Sequence, residues 1–124
     1  MADSLGTVST VPRKPHPWVY LDGEIVPAAE ALVPTTTQAF NYGTAVFEGI
    51  RAYASGNGQL NVFRLDDHLK RLETGMKLLR FDRLYERDYM KECLAKLIRA
   101  NEPDDDVYIR LLAYIEGVGL MATT

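Results

Sequence analysis

The apolar residues of the chain fall into three successive patterns, and each predicts a different kind of structure. Residues 1 to about 16 (MADSLGTVSTVPRKPH) show no apolar period and are rich in Ser, Thr and Pro, which predicts a flexible leader. Trp18-Val19-Tyr20-Leu21, then Asp22-Gly23, then Glu24-Ile25-Val26 reads as a hairpin. Asp-Gly tolerates positive φ at both turn positions, as a type I′ turn requires, and Pro27 ends the second strand or puts it on an edge. Thr35 to Tyr42 reads as one irregular or helical turn. Thr44 to Ala54, with Gly49 in its middle, predicts a strand; the turn Ser55-Gly56-Asn57-Gly58 leads to a further strand-like run, Leu60 to Phe63. Strands joined by hairpins predict an antiparallel sheet.

The period then changes. Leu65, Leu69, Leu72, Met76 and Leu79 recur at spacings of 4, 3, 4 and 3, the stripe of a helix. Asp66 or Asp67 is expected to cap its first turn. Gly75 inside that helix costs about 1 kcal/mol relative to Ala, so it marks an expected close contact. A second helix is predicted over about Glu86 to Ala100, with Met90, Cys93, Leu94, Leu97 and Ile98 on one face. Asn101-Glu102-Pro103 ends it, and Asp104 to Asp106 form an exposed loop. Val107 to Ile115 is apolar enough to be expected as a central strand, and Glu116 to Thr124 reads as a linker. The fold class is α+β: an antiparallel sheet with two helices packed on it.

Composition narrows the function classes. The 124 residues, 13.9 kDa, fit one domain. A chain of this size buries roughly two thirds of the surface it exposes when unfolded. Lys plus Arg is 14 against 17 for Asp plus Glu, giving a net charge of −3, which argues against nucleic acid as a partner while allowing a local basic site. A single cysteine, Cys93, excludes an internal disulfide framework. No run nears the roughly 18 apolar residues of a membrane span, and the N-terminus lacks the layout of a secretory signal. A cytoplasmic domain with no membrane partner is expected.

Few side chains offer chemistry. His16, His68 and Cys93 do not form a metal-ligand pattern, and Asp104-Asp105-Asp106 lacks calcium-loop spacing. Ser4, Ser9 and Ser55 have no partner placed for nucleophilic catalysis. Gly56-Asn57-Gly58 and Gly117-Val118-Gly119 are incomplete as phosphate loops. Two arginines stand out. Arg71 lies three residues after His68 on one flank of the first helical stripe. Arg110 lies in the most apolar strand, where it must be solvated, paired or aimed at an anionic ligand. Guanidinium suits phosphate or carboxylate because it donates two parallel charge-assisted hydrogen bonds.

Three strings carry a family resemblance: Asn41-Tyr42-Gly43-Thr44-Ala45-Val46-Phe47-Glu48-Gly49-Ile50-Arg51-Ala52-Tyr53, Phe63-Arg64-Leu65-Asp66-Asp67-His68-Leu69-Lys70-Arg71-Leu72, and Tyr108-Ile109-Arg110. Together they resemble the branched-chain amino-acid aminotransferases, fold-type-IV pyridoxal-phosphate enzymes, from about Trp18 to Leu120. D-amino-acid transaminases carry a histidine two residues after that last arginine, where this chain has Leu112, and aminodeoxychorismate lyases match the first string less well. Leu111 stands where the family often has Pro.

The resemblance implies the roles. Arg71 would hold the phosphate of pyridoxal 5′-phosphate. Phe47 and Gly49 would form a wall of the substrate pocket, with Tyr108 and Arg110 near the substrate carboxylate. Tyr42 would be lent to a neighbouring subunit, so a homo-oligomer, a dimer or higher, is expected. Amino acids and 2-oxo acids would be the substrates. Transamination also needs a lysine that bonds to the cofactor and then moves the Cα proton. Lys14, Lys70, Lys77, Lys91 and Lys96 are the lysines here, and none matches the family's catalytic position. The resemblance therefore implies a small N-terminal domain over residues 17–120, an interdomain linker beginning at 121–124, and an inactive isolated chain. Alternatives are a non-catalytic binding or dimerisation module and a piece of another fold-type-IV enzyme. The reading would be overturned by an Arg71 guanidinium and a Phe47 ring set on opposite sides of the molecule with no shared cavity.

Overall fold

The computed structural model describes residues 16–117, so most of the expected leader and the end of the expected linker lie outside the described residues. The hairpin forms as its turn chemistry requires. β1 (Trp18–Leu21) and β2 (Glu24–Pro27) pair antiparallel, with Trp18 opposite Pro27, and the turn holds Asp22 at φ 48° and Gly23 at φ 94°. A short helix, α1 (Gln38–Tyr42), stops at Gly43, whose φ of 68° no longer continues it.

β3 (Ala45–Ala54) is the longest strand and lies at the centre of a second sheet in the order β4-β3-β5, with β4 (Leu60–Val62) and β5 (Val107–Tyr114) on its flanks. The expectation of β5 as the central strand is thus corrected. Among the described residues its apolar run pairs with β3 alone, over Ala45↔Tyr114 to Ala52↔Val107. Hydrophobicity marks a strand as covered, and here the buried cluster that β5 joins through Ile109, rather than a further strand, covers it. The single expected sheet is likewise two, because the β1-β2 hairpin docks on α3 instead of extending the larger sheet.

α2 (Leu65–Leu78) and α3 (Arg87–Asn101) follow the two stripes. Side chains alternate across a strand with period two, so Ile50 and Ala52 of β3 and Ile109 of β5 face inward against Leu69, Leu72 and Met76 of α2. Met90 and Leu94 of α3 complete the buried core. Fully burying an aliphatic side chain such as Leu69 or Met76, both at 0% exposure, contributes about 1.5–3 kcal/mol. The close contact expected at Gly75 is present: a Cβ there would come within 3.1 Å of Val46 Cγ1 on β3.

The expected cap does not form. Residue 64, an arginine at φ 52°, occupies the cap position without a side-chain hydrogen bond. Asp66 pairs instead with Lys91 of α3 at 2.6 Å and Asp67 with Arg64 at 2.8 Å. Both acids still place negative charge at the positive end of the helix dipole. Cys93 has a packing role: its Sγ donates to Tyr20 Oη at 3.3 Å where the hairpin meets α3. Among the described residues no helix is long and apolar enough to cross a membrane.

Candidate functional site

Phe47, Glu48 and Gly49 are consecutive in β3, and the pleat sends them to opposite faces. Phe47 and Gly49 point away from α2, toward the sheet face that no described element covers; Glu48 points toward α2. On the open face the register sets Phe47 opposite Leu112, Gly49 opposite Arg110 and Arg51 opposite Tyr108. Diagonal neighbours across an antiparallel pair are within reach of long side chains. The Arg110 guanidinium accordingly stacks on the Phe47 ring, 4.5 Å from its centroid, a cation–π contact. The Tyr108 ring leans over Gly49 so closely that a Cβ at that position would lie 2.7 Å from Tyr108 Cζ. Glycine is what lets the phenol lie on the strand. Four of the six residues singled out in the sequence therefore meet on one surface, although about sixty positions separate their two motifs. Phe47 and Tyr108 remain 55% and 57% exposed there.

The inward-facing Glu48 is only 3% exposed. A buried carboxylate needs partners, and α2 supplies two of them one turn apart. Arg71 Nε donates to Glu48 Oε1 at 2.6 Å and Arg71 Nη2 to Oε2 at 2.7 Å, while His68 Nδ1 shares a 2.8 Å hydrogen bond with Oε2. The Arg71 hydrogen bonds hold the Glu48 carboxyl below the usual glutamate range; burial opposes this and the His68 contact adds to it. In turn the Glu48 carboxylate raises the Arg71 guanidinium above its usual value. The side chain of Arg71 is 73% exposed. Its outer part lines a cavity of about 270 Å³ together with Arg64, Asp67 and His68. Arg71 Nη1 has no protein partner among the described residues, so that edge of the guanidinium can donate to an anion.

The expected sharing of one cavity by Arg71 and Phe47 is corrected in part. The cavity beside Arg71 does not have Phe47 among its lining residues, because strand alternation carries ring and guanidinium to opposite faces. What joins them is Glu48, the chain neighbour of both Phe47 and Gly49. β4 pairs with β3 only over Ala52 to Ala54, leaving the edge beside residues 45–49 without a strand partner among the described residues. Tyr42 ends α1, half exposed, and no hydrogen bond or ring contact joins it to the other five.

Sequence reasoning missed Glu48 and His68. Both left a signal. Glu48 sits at an inward position between Val46 and Ile50, where a carboxylate demands a partner, and His68 precedes Arg71 by one helical turn.

Residues 45–122 match the model of the family described as amino-transferase class IV. A probable branched-chain-amino-acid aminotransferase of Aquifex aeolicus is 36% identical over 104 residues, which are 83% of this chain and 33% of that protein. The crystal structure of a branched-chain aminotransferase from Thermoproteus uzoniensis with norvaline superposes with a TM-score of 0.79 at 40% identity, over 86% of this chain and 35% of that one. The branched-chain amino acid aminotransferase from Thermobaculum terrenum, in its PLP-form, gives 0.66 at 42% identity, over 73% and 30%. The chain spans about a third of the length of the curated relatives it matches.

Proposed function

The chain belongs to the amino-transferase class IV family, and from that premise we propose that it forms the small N-terminal domain of a branched-chain amino-acid aminotransferase. Such an enzyme would move an amino group between leucine, isoleucine or valine and 2-oxoglutarate with pyridoxal 5′-phosphate. The observation that carries the reading is the convergence of Phe47, Gly49, Tyr108 and Arg110 on one open sheet face, beside the strand position that holds Arg71.

The donor set fits one end of the cofactor. Arg71 keeps an unpartnered guanidinium edge beside a cavity whose other charges, Arg64 and Asp67, are paired with each other, and that edge suits a phosphate oxygen. No lysine lines that cavity, so the amine that bonds to the cofactor belongs, on this reading, to a second domain. Bound there, the cofactor supplies an electron sink for the bond broken at the substrate Cα. The residues of this chain do other work. Arg71 binds the phosphate and fixes its depth. The Phe47 ring and the bare backbone at Gly49 offer an apolar wall to an aliphatic side chain. Tyr108 and Arg110 give a hydroxyl and a cation to orient a carboxylate. A ligand lying across the unpaired edge of β3 near residues 45–49 would touch both groups. Tyr42, exposed at the end of α1, is read as a contribution to a neighbouring subunit.

The test uses these residues joined to a lysine-bearing second domain. Leucine, isoleucine and valine with 2-oxoglutarate should support amino transfer, and Arg71→Ala should raise the cofactor concentration needed for half-saturation by roughly ten- to a hundredfold, the loss of one charged hydrogen-bonding clamp. Amino transfer confined to D-amino acids would overturn the reading.

A further inference from the structure

Among the described residues Glu48 is the buried charged side chain, and nothing in the clamp reading requires it. An exposed arginine attracts phosphate unaided. Yet the carboxylate takes up two donors of Arg71, and His68 Nδ1 holds the same carboxylate from the preceding turn. Both α2 side chains thus converge on one strand residue. Across the ladder the partner of Glu48 is Leu111, which is apolar, so no competing charge reaches it from β5. The other charged groups that line the cavity are Arg64 and Asp67, paired with each other at 2.8 Å.

A bidentate contact to Nε and Nη2 fixes the plane of the guanidinium and leaves the Nη1 edge for another acceptor. We propose that Glu48 is a positioning residue, braced by His68, that holds Arg71 with its Nη1 edge presented to the phosphate of the ligand. This rests on the reading of Arg71 as the phosphate clamp. Two effects of Glu48 oppose each other. Its charge repels a phosphate, but it orders in advance a long side chain that would otherwise lose rotamer freedom on binding. Positioning dominates where the carboxylate is buried behind an arginine that stays open to solvent, and Glu48 is 3% exposed against 73% for Arg71.

The test uses the isotope-labelled 124-residue chain and pyridoxine 5′-phosphate, a probe whose alcohol cannot bond to lysine. In the wild type the Arg71 Nε–H resonance should be distinct and slow to exchange at neutral pH, and should move to the free-arginine position as acid protonates Glu48. Glu48→Gln should weaken the probe by about tenfold, equivalent to about 1.4 kcal/mol, and Glu48→Asp should restore part of that loss. A wild-type Arg71 resonance exchanging like that of a free arginine overturns the proposal, and it needs no variant to fold. Binding by Glu48→Gln as tight as wild type, or tighter, also overturns it. Undiminished binding by Arg71→Gln would instead overturn the clamp reading, whatever the Arg71 resonance does in the wild type.

Discussion

Glu48 binds its proton less readily in the folded chain than a free glutamate with its usual value of 4.5, chiefly because Arg71 hydrogen-bonds the charged form. The unfolded chain therefore takes up the proton first as pH falls. The stabilisation is present above the unfolded value and is lost as pH drops through the lower folded value. Urea midpoints measured between neutral and acid pH should fall in that window, and Glu48→Gln should flatten part of the slope. Asp66 and Glu73, also lowered by their lysine partners, keep the remainder. At neutral pH the same substitution should cost about 1–3 kcal/mol. That is less than a fully buried ion pair would lose, since Arg71 is largely exposed and can regain water.

At the scale of elements, α2 sets where Arg71 stands, and its contact with β3 is closest at Gly75. The 3.1 Å approach to Val46 Cγ1 leaves little room for a side chain. Gly75→Leu should force the helix away from the strand and destabilise the chain by about 1–3 kcal/mol, the usual cost of overpacking. Thermal unfolding would measure the loss. Because Glu48 is two strand positions from Val46 on the same face, the displacement should also lengthen the Arg71–Glu48 contact, visible as faster exchange of Arg71 Nε–H. An unchanged melting temperature together with an unchanged Arg71 signal would mean that the contact does not hold the helix in place.

Taken as a whole molecule, the described residues put helices on one face of the larger sheet only. Phe47, Tyr53, Tyr108 and Leu112 alternate along the other face at 41–57% exposure, and Phe63 meets Tyr53 edge-on at 6.1 Å. Contiguous apolar surface of this kind attracts a partner or a second copy. Sedimentation of the 124-residue chain should reveal self-association that grows with concentration, and Leu112→Lys should reduce it. A monomer at high concentration with this face intact would mean that the aromatic row is too polar at its arginines to associate.

Local grammar alone determined much of this protein. The Asp22-Gly23 turn, the two helical stripes, the close approach at Gly75 and the α+β class follow from periods and turn chemistry within a few residues, where the chain's own geometry decides. The resemblance assembled Phe47, Gly49, Tyr108 and Arg110 as one group, and strand register brings them together. The tertiary structure alone decided that β3 rather than β5 is central, that Arg64 stands where a cap was expected, and that the hairpin forms its own sheet. It also decided that Arg71 answers to Glu48, 23 positions away in the sequence. The physical reason is the same in each case: a strand's apolarity reports that it is covered without naming the cover, and a buried charge announces a missing partner whose identity depends on which helix turn folds over it.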